Sequence, residues 1–125
     1  MQPSDLDVLI VDDHEAMRAM LRAVFARAGA ARVRDAASGS EALALIAESA
    51  PSLILTDRRM PEMDGIAFIA RVRTSLEPDV CRIIMISGQG DAEAREAAHA
   101  AGADALLVKP VSPRDLLAAI EALYA

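Results

Sequence analysis

Residues 53–65 read "LILTDRRMPEMDG". An apolar run from Leu53 to Leu55 passes through Thr56 into an acid, Asp57. Two arginines follow, then Met60-Pro61 and Asp64-Gly65. A short apolar run bounded by turn residues reads as a buried strand. The proline and the Asp-Gly pair break that strand and turn the chain into its next element. The chain therefore buries a strand and ends it on a carboxylate. A buried strand needs partners, so segments of the same form should recur.

They do. "VLIV" (8–11) halts at Asp12-Asp13, "RIIMIS" (82–87) ends on Ser87 before Gly88 and Gly90, and "ADALLV" (103–108) runs into Lys109-Pro110. "ARVRDA" (31–36) alternates polar and apolar residues, as an edge strand should. With "SLIL" (52–55) this predicts five strands. Helical spacing fills the gaps. Residues 15–28 place Met17, Leu21, Val24, Phe25 and Ala28 on one face, closed by Gly29. Residues 40–49 use Leu43, Ile46 and Ala47, and 64–75 carry Ile66, Ile69 and Val72. The stretch 91–101 is alanine-rich and ends at Gly102. A last helix, 113–124, offers Leu116, Leu117, Ile120 and Leu123, with Ser112 and Pro113 suited to its cap and first turn. Strict alternation of apolar strands and helices predicts an α/β fold, a parallel sheet covered on both faces.

Length and composition bound the rest. The 125 residues suit one domain, long enough to bury a core without disulfides, and the reading leaves no room for a second domain. Hydrophobic residues make up 54% of the chain. The net charge of −6 argues against a nucleic-acid-binding surface, and scarce aromatics argue against base stacking. The cations are twelve arginines and a single lysine, Lys109. No run is long enough to span a membrane, and the N-terminus has no export signal. With one cysteine, Cys81, the expected setting is a reducing cytoplasm.

In such sheets ligands bind beyond the carboxyl ends of the strands. Asp12-Asp13, Asp57, Ser87 and Lys109 stand at four of those ends. If the first and third strands are neighbours, about 5 Å apart, three carboxylates share one crevice. Their repulsion is resolved by a hard divalent cation, and oxygen ligands of this kind suit Mg²⁺. Lys109 can bind phosphate as a point charge, and Ser87 offers a hydroxyl. These are the parts needed for a carboxylate to attack phosphorus. Each alone has an ordinary reading as a solvated turn, a cap or a surface charge. Their coincidence on four strand ends is what carries the chemistry.

The segments "VLIVDD", "LILTDRRMPEMDG", "IIMISGQG" and "GADALLVKP" resemble, in order and spacing, the receiver domain of two-component response regulators. The likeness spans essentially the whole chain and is strongest to single-domain, chemotaxis-type members. It implies a flavodoxin-like sheet in strand order 2-1-3-4-5. It implies that Asp57 accepts a phosphoryl group from a histidine kinase, a phosphotransfer protein or a small phosphodonor. Asp12 and Asp13 match the acidic pair that holds Mg²⁺, one directly and the other through water. The backbone carbonyl of Arg59 matches the further metal ligand, and Lys109 the lysine that pairs with the carboxylate or phosphoryl group. Ser87 takes the switch hydroxyl position. Arg59 and Gln89 take positions that tune phosphorylation and dephosphorylation rates. The Lys109-Pro110 bond is expected to be cis.

Leu106 departs from the pattern, because an aromatic switch residue is usual there. The implied output is a partner protein met through the fourth helix, fifth strand and fifth helix. A phosphate sink or relay intermediate is an alternative. Two rivals come from other classes. An Mg²⁺-dependent aspartyl-nucleophile phosphatase usually carries a second acid where this chain has Arg59. A flavin or nucleotide carrier would have a glycine- or hydroxyl-rich first loop, where this chain has Asp12-Asp13. His14 reads as a solvated helix start with metal ligation as a lesser alternative, His99 as exposed, and Cys81, Met60, Met63 and Met85 as packing.

Overall fold

The computed structural model describes residues 3–124. A short 3₁₀ turn, Pro3–Asp5, precedes β1 (Asp7–Val11), α1 (Glu15–Ala28), β2 (Arg32–Ala36), α2 (Gly39–Glu48), β3 (Leu53–Asp57), α3 (Gly65–Arg73), β4 (Arg82–Ser87), α4 (Ala92–Ala101), β5 (Ala105–Val108) and α5 (Pro113–Leu123). The strands form one sheet in the order β2-β1-β3-β4-β5, with every pairing parallel. From β1 the chain steps out to β2, then returns past β1 to build β3, β4 and β5. Strand order thus reverses between β1 and β3, and a crevice opens there beyond the carboxyl ends.

Alternate residues of each strand feed two cores. Leu9, Val11, Ile54, Ile83 and Met85 point to one face, where they meet Ala42 of α2, Phe68, Ile69 and Val72 of α3, and Ala94 and Ala98 of α4. Val8, Ile10, Leu53, Leu55, Ile84 and Ile86 point to the other, against Leu21, Val24 and Phe25 of α1 and Leu116 and Ile120 of α5. Central strands buried on both faces explain their unbroken apolar runs. β2 stands at the edge and only Ala36 of it is buried. Met60 and Met85 belong to the core as expected, and Cys81 is buried in the same cluster.

The helix ends follow their sequence signals. Ser112 accepts a hydrogen bond from the Asp115 amide with Pro113 in the first turn, and Gly29 closes α1 at φ 84°. Asp64 and Asp91 cap α3 and α4 by accepting from the amides of Ala67 and Ala94.

Three details differ from the sequence reading. In α2, Ala42 is buried and Ala47 is exposed, because the helix lies with its first turn tightest on the sheet. In α5, Leu117 is 40% exposed, just off the stripe of Leu116 and Ile120. β5 begins at Ala105, not at 103, because Asp104 is turned aside. Its Oδ2 accepts from Arg73 Nη2 at 2.9 Å and from the Ile83 amide at 2.8 Å. Arg73 also donates to the carbonyls of Gly102 at 2.9 Å and Cys81 at 2.7 Å, tying the end of α3 to the start of β4 and the approach to β5.

Candidate functional site at the carboxyl ends of the strands

Sheet register assembles the site. Val11 of β1 pairs with Thr56 of β3, so the next residues along, Asp12 and Asp57, stand side by side where the strands run out. Asp57 pairs with Ile86 of β4, and Ser87 pairs with Val108 of β5. Ser87 and Lys109 therefore border Asp57 on its other side. The Lys109 amide donates to the Ser87 carbonyl at 2.8 Å, and the Lys109-Pro110 bond is cis.

The buried polar or charged residues among those described are Asp12, Thr56, Asp57 and Ser87. All lie at or next to the carboxyl edge. Burying such groups is costly unless they are paired, so their concentration in one place marks a site built for a task. Asp57 is 4% exposed, and its Oδ1 pairs with Lys109 Nζ at 3.1 Å. Asp12 Oδ1 accepts from the His14 amide at 2.8 Å, and Arg18 Nη1 donates to the Asp12 carbonyl at 2.7 Å. Arg18 also holds Asp35 through its Nε at 2.9 Å, which locks the start of α1 against β2.

Asp12, Asp13, His14 and Asp57 each offer a ligand atom, and all of these atoms lie within 4.8 Å of one another. Three of the four are carboxylates, the donor type that hard divalent cations take. The donor set fits Mg²⁺. Repulsion among the acids is offset on one side by Lys109, which leaves the side facing Asp13 and His14 for a cation.

The β3–α3 loop forms the rim. The Gly65 amide donates to the Arg58 carbonyl at 2.6 Å, drawing the start of α3 onto the end of β3. A Cβ at residue 65 would sit against the Asp57 carbonyl oxygen and 2.8 Å from Arg58 Cα, so only glycine fits. Glu62 adopts a left-handed backbone with φ 69°, the single described non-glycine residue to do so. Asp13, Arg58, Arg59, Met60, Pro61 and Asp64 line an open cleft of about 450 Å³ beside the acids.

Comparison with known proteins gives the arrangement its family. Residues 8–121 match the response regulator receiver domain. The chain belongs to that family. A probable chemotaxis protein CheY of Rhizobium etli is 33% identical over 119 residues, covering 95% of this chain and 92% of the relative. The transcriptional regulatory protein SrrA of Staphylococcus aureus is 35% identical over 117 residues, and there the match spans 94% of this chain but 47% of the relative. The crystal structure of the chemotaxis response regulator CheY4 of Vibrio cholerae superposes with a TM-score of 0.88 at 33% identity, covering 94% of this chain and 98% of that one.

The receiver fold, with its five parallel strands in order 2-1-3-4-5, is the one the resemblance implied. The structure gathers Asp12, Asp13, Asp57, Ser87 and Lys109 at one edge. Arg59 lies on the rim with its side chain exposed. Gln89 is also exposed, and its amide donates to Ser87 Oγ at 3.1 Å, so the β4–α4 loop is hydrogen-bonded to the Ser87 hydroxyl. Leu106 is buried under α4. It lines a separate cleft of about 180 Å³ with Arg95, Ala98, His99, Ala103, Asp104 and Ala105. His14 is exposed, as its position after the acids suggested, yet its ring turns toward those acids. The grip of Arg18 on the Asp12 carbonyl had no signal beyond an arginine one helical turn past the acidic pair. No helix among the described residues is long and apolar enough to cross a membrane.

Proposed function

We propose that this receiver domain takes a phosphoryl group onto Asp57 from a histidine kinase or a histidine phosphotransfer protein, with Mg²⁺ held by Asp12, Asp13, Asp57 and the backbone carbonyl of Arg59. The observation that carries this reading is the placing of Asp57. It is a buried carboxylate at a strand end, with a lysine on one oxygen and two further acids beside it.

A carboxylate oxygen of Asp57 forms the new P–O bond as the P–N bond of a phosphohistidine, or the P–O bond of an acyl phosphate, breaks. The imidazole or carboxylate leaves with the bonding electron pair. Lys109 Nζ already sits on Asp57 Oδ1 and can follow the charge onto the phosphoryl oxygens. Ser87 offers its hydroxyl to the same group, and Arg59 and Gln89 set its lifetime from the rim. Mg²⁺ neutralises phosphoryl charge when bound.

The changed surface is read by an output protein across α4, β5 and α5. A relay intermediate or a phosphate sink would use the same chemistry. The domain acts as a switch, promoting its own phosphorylation and hydrolysis.

Acetyl phosphate with Mg²⁺ should add one phosphoryl group to the wild type and none to Asp57→Ala. Mass spectrometry placing the group on another residue would remove Asp57 from the role.

A further inference from the structure

The cleft between α4 and β5 is built differently from the one beside the acids. Ala98, Ala103 and Leu106 are buried and give it an apolar floor, with Ala105 half-buried beside them. The polar side chains that line it are Arg95, His99 and Asp104. Asp104 is already engaged: its Oδ2 holds Arg73 Nη2 at 2.9 Å, and its Oδ1 lies 3.6 Å from Arg82 Nη1. Arg95 and His99 stand one helical turn apart on α4, both exposed. Neither pairs with an acid among the described residues. Glu93 and Glu96 of the same helix do not line the cleft. On a chain of net charge −6, an unpaired guanidinium over an apolar floor matches a carboxylate next to an apolar side chain.

Arg95 also reaches the other way. Its Nε donates to the Gly90 carbonyl at 3.0 Å. Gly90 is gripped from a second side by β5, since a Cβ there would run into Val108 Cγ2 and lie 3.5 Å from Arg95 Nη2. The residue before it, Gln89, donates its amide to Ser87 Oγ at 3.1 Å. One short run of chain thus joins the hydroxyl beside Asp57 to the guanidinium at the cleft.

We propose that the α4–β5 cleft docks a segment of the output protein that carries a carboxylate beside an apolar side chain, and that Arg95 binds this carboxylate once loading of Asp57 releases it from the β4–α4 loop. The inference deepens the output reading above and rests on it. When Ser87 exchanges the Gln89 amide for a phosphoryl oxygen, the Gly90 carbonyl moves and one edge of Arg95 comes free. The chain then has a charged reporter at the cleft, where Leu106 supplies none.

The probe is isocaproate, a branched apolar group on a carboxylate, with isocaproamide as its neutral match. Each is titrated into the full chain with and without beryllofluoride and Mg²⁺. Heteronuclear NMR reads binding, and fluorine NMR reads occupancy of Asp57. In the loaded wild type, isocaproate should shift the amides of Arg95, Ala98, His99 and Leu106, and isocaproamide should bind about tenfold more weakly, the scale of one charge-assisted hydrogen bond. Arg95→Gln should lose that preference while its spectrum away from α4 stays that of the wild type. Omitting beryllofluoride should weaken isocaproate binding to the wild type about threefold or more, the release of one neutral hydrogen bond. Equal binding of the two compounds, shifts centred away from the cleft, or one affinity with and without beryllofluoride would overturn the proposal. If beryllofluoride occupies Asp57 and the expected shifts are absent, only this inference falls. If it does not occupy Asp57, the phosphoacceptor reading falls and this inference with it.

Discussion

Lys109 Nζ lies 3.1 Å from Asp57 Oδ1, a contact between the chain's only lysine and a buried carboxylate of its candidate site. The lysine stands just past the end of β5, two strands from β3, so the pair reaches across β4 at the carboxyl edge of the sheet. Truncating it leaves a buried carboxylate with acids on one side and no cation on the other. Lys109→Ala should accept phosphate from acetyl phosphate about 10²-fold more slowly, the usual cost of removing one preorganised charge donor. Lys109→Arg should restore little, because a planar guanidinium on a different stem cannot follow the same path. Incorporation measured by mass spectrometry decides it, and a Lys109→Ala rate within twofold of wild type would remove the lysine from the chemistry.

Gly65 and Gly39 make a controlled comparison. A Cβ at 65 meets backbone, the Asp57 carbonyl and Arg58 Cα, neither of which can move without shifting the end of β3. A Cβ at 39 meets Met63 Sδ at 2.9 Å, the far end of a flexible side chain. Gly65→Ala should lose about 1–3 kcal/mol by overpacking, and Gly39→Ala clearly less. Urea midpoints for the two variants test this, and equal losses would contradict the assigned strain.

Much of this was legible from sequence, for reasons that differ by element. The central strands are apolar throughout because both faces are covered, and that continuity shows in "RIIMIS" as plainly as in the sheet. The acids, Ser87 and Lys109 were legible because each directly follows an apolar strand. What sequence did not show depends on distance or direction. Arg73 and Asp104 are 31 residues apart and no local signal pairs them, yet their contact shortens β5. The direction of the His14 ring is set by its cap geometry and by the two carboxylates, not by its place in the chain. Ala47 and Leu117 sit at the margins of helical stripes, where a small rotation of the helix decides exposure.

A buried thiol and a half-buried phenol predict an alkaline weakness. Burial pushes the Cys81 thiol from 9.0 up to about 12, and burial likewise pushes the Tyr124 phenol from 10.0 up to about 12. Tyr124 donates to the Ser52 carbonyl at 3.0 Å, which its anion could not do. Both groups keep their protons in the folded state at pH values where the unfolded chain has lost them. Stability from this source is therefore full below pH 9 and falls as pH rises toward 12. Urea unfolding between pH 8 and pH 11 should show declining stability, with Tyr124→Phe declining less steeply. A flat profile would show that neither proton is held by the fold.

The last prediction concerns Leu106 and α4. An aromatic residue at this position could turn into space vacated when Ser87 moves toward a phosphoryl group. Leucine has no plane or hydroxyl to make that movement, and Leu106 is already packed in the core. Ser87 should keep its part of the proposed switch, because its Oγ accepts from the Gln89 amide and would exchange that partner for a phosphoryl oxygen. Breaking that bond frees the β4–α4 loop. The helix that follows is poorly anchored, since its buried residues are Ala94 and Ala98, which cover little area. The cleft of about 180 Å³ beside Leu106 leaves room for α4 to settle. Activation should therefore appear as a change in residues 88–101, not as a side-chain turn at 106. Amide exchange with and without beryllofluoride and Mg²⁺ should change across 88–101, and Leu106→Ala should alter that response more than it alters loading of Asp57. Changes confined to the Asp57 pocket, with 88–101 unaffected, would show that the signal leaves the site by another route.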